Sequence, residues 1–226
     1  MIVNDIDISV KRSKRKTVSI FVERDGSVSA RVPEDITEAE LAQVIKSKEY
    51  QIHRNIALWE QLNSTRVNRE YVNGQSFLYL GRNYRLSIVE DEFKGVRFTK
   101  NRFFISKKNV KNAPGLFKEF YKAKLYDKLP ALISSASARL GVSPKSVKVM
   151  ELHNRWASCT GVGNLNFHWK CAMAPMDVLK YIVIHELAHL IHQDHSSAFW
   201  NEIDKVLPNF QSHHDWLTLN GAGMDL

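Results

Sequence analysis

The chain has 226 residues, 44% hydrophobic and 25% charged, an ordinary balance for a globular protein with length for one domain or two small ones. No apolar run approaches about 18 residues, which argues against a transmembrane helix, and the start Met1-Ile2-Val3-Asn4-Asp5 lacks the basic and apolar regions of a signal peptide, so the cytoplasm is the expected location. The net charge of +8 is uneven: from Ala172 to Leu226 two lysines face seven acids, a balance of −5, and the other residues carry +13. Basic density is highest from Lys11 to Lys16 and between Lys94 and Lys111. Such a region can draw a polyanion, nucleic acid or a nucleotide phosphate tail. Exposed Lys and Arg also deter edge pairing and keep a protein soluble, and with no nucleic-acid motif visible that second reading weighs more. Cys159 and Cys171 make neither a disulfide framework nor a four-cysteine zinc site and are expected to be reduced.

In chain order, Thr17–Val22 alternates toward an Asp25-Gly26 turn, and Ser27–Val32 returns as the second arm of a hairpin. A helix follows from Thr37 to about Leu62, with Leu41, Val44, Ile45, Ile52 and Ile56 on its apolar side. A second β section comprises Phe77–Leu80, Tyr84–Val89, Val96–Thr99 and Arg102–Ile105, joined by Gly81-Arg82-Asn83 and Lys100-Asn101 turns. A long helix resumes from about Leu116 to Leu140, with Pro130 as a possible kink and Gly141 closing it. Ser146–Met150 and Asn164–Trp169 read as strands. An apolar helix through Val178–Ile184, one through Trp200–Ile203 and a last one around Phe210–Leu219 complete the chain. No internal repeat is evident. The pattern predicts an α+β protein divided near residue 110, with residues 1–110 a β-rich region containing a long helix and residues 111–226 a region with a small sheet and a metal-binding helix, a division that leaves open a single core shared by both.

The chemistry lies in His185-Glu186-Leu187-Ala188-His189. Histidines four apart on a helix point the same way, roughly 6 Å apart along the axis, and can share one tetrahedral zinc with bonds of about 2.0–2.1 Å. Glu186 falls beside the first histidine, placed to accept a proton from activated water rather than to ligate. A chance match on a solvated helix would be an ordinary polar face. Here Val178-Leu179-Lys180-Tyr181-Ile182-Val183-Ile184 is apolar almost all round, so the helix is expected in a core, where unpaired ionisable groups cost several kcal/mol. Imidazole also suits other divalent transition ions, so zinc is expected without excluding them.

Three residues compete for the third ligand. His192 on a continued helix would sit roughly 10 Å from His185 along the axis, too far for one ion. His195 reaches the metal if the helix stops after about Ile191 and reverses through Gln193-Asp194, with Ser196 or Ser197 capping a new helix. Glu202 on that next helix is the runner-up, and His195 is favoured. The spacing resembles the metzincin pattern, but His192 replaces its glycine and Met224 is too near the terminus for a Met-turn.

With its neighbours the motif becomes more specific. His185–Leu190 continuing into His195-Ser196-Ser197-Ala198-Phe199-Trp200, the upstream Arg155-Trp156-Ala157-Ser158-Cys159, the stretch Gly163–Phe167, and the opening Arg12–Thr17 with Asp25-Gly26 together resemble the YgjP-like metallopeptidase family, relatives of the SprT-like zinc proteins. Ala157 stands where that family commonly has glycine. The resemblance implies a zincin-like C-terminal region, a zinc-dependent hydrolase with His185, His189 and His195 as ligands and Glu186 as base.

Zinc peptidases commonly hold an extended substrate on the edge strand beside the metal helix. Asn164–Trp169 is the expected edge, with Asn164 and Asn166 on one face, and Arg155 is placed to bind a carboxylate, a phosphate or the developing oxyanion. The plainer reading makes Arg155 a surface ion-pair partner and Trp156 a core anchor. The leading function is a zinc metallopeptidase acting on a peptide or protein. The same site could serve a phosphoanhydride such as a nucleoside triphosphate, and the weakest reading is a nucleic-acid-associated protein with a structural metal.

Overall fold

The structure is a computed structural model that describes residues 1–23, 27–63, 68–152 and 155–226. It divides into two compact units, Met1–Arg66 and Val67–Leu226. In the first, β1 (Ile2–Val3), β2 (Ile6–Arg12), β3 (Ser19–Val22) and β4 (Val28–Val32) form a sheet of order β1-β2-β4-β3, followed by α1 (Glu38–Asn63). The inner strands β2 and β4 run parallel, and each pairs antiparallel with its outer neighbour. Ile6 and Ile8 alternate with exposed Asp7 and Ser9, so one face of β2 joins Val28, Ala30, Val32, Leu41, Ile45 and Ile52 in a core of its own. The Asp25-Gly26 turn lies outside the described residues. Of the basic stretch, the Arg12 guanidinium donates to the carbonyls of Glu34 (3.1 Å) and Ile36 (2.7 Å), and Arg15 donates to Ser19 Oγ at 2.6 Å.

The second unit opens with the same topology. Strands β5 (Ser76–Tyr79), β6 (Arg82–Val89), β7 (Val96–Thr99) and β8 (Arg102–Ser106) are ordered β5-β6-β8-β7, the inner pair β6 and β8 again parallel, and α2 (Ala113–Leu140) follows. The β7–β8 turn takes the left-handed conformation at Lys100 and Asn101 (φ 47° and 57°), the backbone that a two-residue hairpin with the right twist demands. Helix α2 passes through Pro130 without interruption and ends at Gly141, whose φ of 69° makes the left-handed cap.

The expected division near residue 110 is displaced to Arg66/Val67, and the reason is packing. Phe77 stacks on Phe117 at 4.3 Å, and Tyr79 and Phe103 meet Phe120 edge-on at 5.7 and 5.4 Å. The β5–β8 sheet thus shares one core with α2 and with everything after it. That remainder is a three-stranded sheet of β9 (Ser146–Met150), β10 (Ala157–Cys159) and β11 (Asn164–His168), a 3-10 turn Trp169–Met173, and helices α3 (Met176–Ala188), α4 (Ser197–Val206) and α5 (Phe210–Asn220). The protein is α+β. None of its described helices is long and apolar enough to cross a membrane.

Two contacts fix the approach to α3. Leu80 N–H donates to Ala172 O (3.0 Å) and Gly81 N–H to Met173 O (2.8 Å), so the β5–β6 turn is stitched to the segment that starts the helix. Gly81 has a φ of +77°, and a Cβ there would come within 2.7 Å of Pro175 Cγ. Gly81→Ala should therefore lower stability by about 2 kcal/mol, from backbone strain and overpacking together. Gly115 in α2 has nothing within 4 Å of a Cβ. Gly115→Ala should raise stability by about 0.5–1 kcal/mol. Urea midpoints of the two variants, moving in opposite directions, are the measurement.

Candidate metal centre

Helix α3 begins after Pro175, whose extended backbone suits the position before a helix, and Leu179 N–H closes the first turn on Pro175 O at 2.9 Å. Val178, Leu179, Tyr181, Ile182, Val183, Ile184, Leu187 and Ala188 are all buried. The helix ends at Ala188, three residues earlier than the spacing suggests. The hydrogen bonding then tightens: Leu190 N–H reaches Leu187 O and Ile191 N–H reaches Ala188 O, both at 3.0 Å. Gln193 Nε2 donates to the orphan carbonyl of His189 at 2.9 Å. His192, where the metzincin pattern has glycine, is not among the described residues with positive φ, so this reversal needs no glycine. Ser196 occupies the cap position of α4, but no side-chain cap bond forms; its N–H points to Asp194 Oδ1 at 3.4 Å.

The reversal brings His195 back. One ring nitrogen from each of His185, His189 and His195 lies within 4.8 Å of the others, the one such cluster among the described residues. His185 Nε2 and His195 Nε2 are 3.2 Å apart. Two neutral imidazole nitrogens at that distance need a proton or a cation between them. A tetrahedral ion with bonds of about 2.05 Å separates its ligands by about 3.3 Å, so the His185–His195 pair fits one, with the His189 nitrogen within 4.8 Å of both. The His189 Nδ1 lies 3.1 Å from His192 O, which assigns the proton to Nδ1 and leaves Nε2 as a lone-pair donor. Fully buried Phe199 underlies all three rings, with centroids at 5.0, 4.6 and 4.8 Å from His185, His189 and His195. Glu202 stays out of the cluster, paired with Lys205 at 2.6 Å. His192 contributes its backbone carbonyl.

The electrostatics follow from burial. His185 is pushed down to about 3 by desolvation, with the charges of His189, His195 and His214 adding to it. His189 is lowered, also chiefly by desolvation. Both are thereby held neutral, the form that binds metal. Glu186 is 6% exposed, and burial raises its carboxyl to about 7 against the opposing Arg155 charge and a hydrogen bond from the Cys159 N–H. Its Oε2 has no partner among the described residues. Tyr181, one turn before His185, is pushed up to about 12 by burial and by the Glu186 and Asp215 carboxylates, so it stays a phenol. Its ring is stacked toward Phe210 at 6.5 Å and meets His214 edge-on at 6.3 Å. Tyr181 and His214 were not singled out from the sequence. Tyr181 was findable, since a residue four before a ligand shares its face, whereas His214 arrives from another helix.

The substrate side needs a correction. Strand β11, expected at the edge, is the centre of its sheet, antiparallel to β10 and parallel to β9. The sequence showed no partner for Ser146–Met150, and that strand takes the side assumed open. Asn164 Oδ1 accepts from Ser146 Oγ at 2.8 Å, and the Asn166 amide reaches Ser158 Oγ at 3.4 Å, so both side chains bond across the sheet. The edge near α3 is β10. Bonds from His168 N–H to Trp156 O (2.7 Å) and from Thr160 N–H to Asn164 O (2.9 Å) set the alternation, which turns the backbone groups of Ala157 and Cys159 away from β11. Arg155 is exposed, and Trp156 packs flush on Gly221, where a Cβ would lie 2.8 Å from its Cζ2. Cys159 and Cys171 are both free thiols.

A buried helix carrying two histidines and a carboxylate, with a third histidine folded back on it, is an arrangement that can hold a metal ion. The chain belongs to the family described as the YgjP-like metallopeptidase domain, whose model matches residues 16–220. Among solved structures it is similar to the metallopeptidase zymogen of Pyrococcus abyssi abylysin, at 26% identity and a TM-score of 0.39, over 43% of this chain and 99% of that one. No curated protein matches it.

Linkage gives a test on metal-stripped protein. A carboxyl raised from 4.5 to about 7 favours folding most below pH 4.5 and loses that contribution as pH rises through 7. His185, lowered from 6.5, acts in the opposite sense and is common to both proteins compared. Relative to Glu186→Gln, wild type should lose about 3 kcal/mol of stability between the two ends of that window. Urea denaturation of both across the range is the measurement, and parallel profiles would refute the buried-carboxyl account.

Proposed function

We propose that the protein is a zinc peptidase in which His185, His189 and His195 hold the metal and Glu186 is the general base. The single observation carrying this reading is the convergence of three ring nitrogens within 4.8 Å, beside a buried carboxylate with one free oxygen. When bound, the ion supplies Lewis acidity for water and for the scissile carbonyl. The rest falls to the chain. Glu186 takes the water proton on Oε2 while the Cys159 N–H steadies the carboxylate, and its burial favours both accepting a proton and returning it to the leaving amine. The substrate is a peptide or protein, added as an extended strand along β10, whose outward groups at Ala157 are the natural partners. Arg155 lies close enough to act on Glu186 and is exposed, so it is our candidate for holding a substrate carboxylate or the oxyanion. Asn164 and Asn166, expected on substrate from the sequence, are assigned to holding the sheet.

Glu186→Gln should retain a full complement of metal and lose turnover by about 10²–10⁴-fold. Metal analysis beside kinetics on peptide and nucleoside triphosphate panels checks it. Loss of metal in that variant removes Glu186 from the base role, and product from the nucleotides alone overturns the peptidase reading.

The ligand assignment has its own test. His195→Ala should purify largely metal-free, since losing a ligand exceeds the 10–100-fold typical of an outer partner. Glu202→Ala and His192→Ala should keep the metal, His192 because its contribution is a backbone carbonyl. An emptied site in Glu202→Ala with metal retained in His195→Ala transfers the third position to the glutamate.

A further inference from the structure

The β5–β8 sheet carries arginines that take no part in the histidine cluster. Residues 67–171 hold 19 Lys and Arg against 7 Asp and Glu, and the strands of the β5–β8 sheet carry four of those arginines and no acid. Its inner face is apolar and packed on α2. On the outward face, register places Ser76, Arg85, Arg102 and Thr99 in one row across the four strands. The next row is Ser87, Phe104 and Arg97. Arg85, Arg97 and Arg102 are exposed and form no ion pair among the described residues, and Arg102 only reaches Ser87 Oγ at 3.3 Å. Phe104 is half-buried yet lies outside the core cluster. Like charges directly opposed on neighbouring strands, as Arg85 and Arg102 are, destabilise a sheet. A fold that needed only solubility would not set them face to face.

The first unit repeats the arrangement. Lys11 pairs with Arg31 and Arg31 with Ser19 on the outward face of β2, β4 and β3, and Phe21, 41% exposed, is one row away with Arg31 over its ring at 5.4 Å. Asp7 and the Glu23 carboxylate, bonded by Ser29, temper the charge there. The second sheet has no acid in either row, which makes it the stronger surface.

We propose that the outward face of the β5–β8 sheet binds single-stranded nucleic acid. Three arginines in the rows beside an aromatic ring, Arg97 with its guanidinium over Phe93 at 4.0 Å, provide for both parts of a nucleotide: phosphates pair with Arg85, Arg102 and Arg97, and a base stacks on Phe104. The face of a four-stranded sheet is too broad for either groove of a duplex, and a duplex hides the base faces, so an unpaired strand is the partner that uses the aromatic.

The test uses the full chain and fluorescein-labelled oligothymidylate in anisotropy titrations across salt. Wild type should bind at low salt with affinity falling steeply as salt rises. Arg85→Ser with Arg102→Ser should lose at least tenfold in affinity and about 1.4 units of salt slope, with thermal stability undiminished because a repulsive pair is gone. Phe104→Leu, which keeps the site apolar, should lose about fivefold or more at unchanged salt slope. A duplex of the same length should bind more weakly than the single strand. The proposal fails if wild type does not bind at low salt, or if the arginine pair is neutral. It also fails if duplex or polyphosphate binds as well as oligothymidylate while Phe104→Leu is silent, since the face would then be a nonspecific cationic surface.

Discussion

Helix α3 has almost no polar side, and enclosing it is the requirement that organises the second unit. An apolar helix can be stable only when every face meets other protein. Here α2, β10, α4 and α5 all lie against it. Enclosure carries His185, Glu186 and His189 out of water, where their charged forms are costly. The histidines answer by staying neutral and the carboxyl by rising to about 7. A neutral imidazole is the form that can bind a metal, and a carboxyl raised by burial is one that can take up a proton, so both perturbations follow from the position of the helix.

The way the helix ends is as important as its burial. Had α3 continued in regular geometry, His195 would have projected away from the other two rings. The tightened bonds at Leu190 and Ile191, the Gln193 amide on the His189 carbonyl, and the His189 ring on the His192 carbonyl hold one short reversal. Phe199 then fills the space beneath the three imidazoles, which ties the placement of His195 to the packing of α4 rather than to loop geometry alone.

Much of this was legible in the sequence because it is local. The i, i+4 histidines, the apolar run before them, the Lys100-Asn101 turn and the Gly141 helix stop all act through residues within a turn or two of themselves. What escaped is non-local. An exception is β2, where Ile6, Ile8 and Val10 alternate as a strand should, a local signal beside the louder basic run that follows it. In the sequence β11 reads as an edge because no local signal announces that β9 will pair with it in parallel. The division near residue 110 failed for a similar reason. Phe77, Tyr79 and Phe103 have strand periodicity whichever unit they join, and only their contacts with Phe117 and Phe120 decide it.

The matched topology of the two units bears on how the chain is made. Every strand partner of the first sheet lies within Met1–Arg66, as does its helix and its own core. That unit has all it needs to fold before residues 67–226 exist. At synthesis rates of about 5–20 residues per second, the 160 residues of the second unit take roughly 8–30 s to follow. A compact, charged N-terminal body is therefore already in place while the apolar α3 is emerging, during the interval in which that segment is most exposed to aggregation.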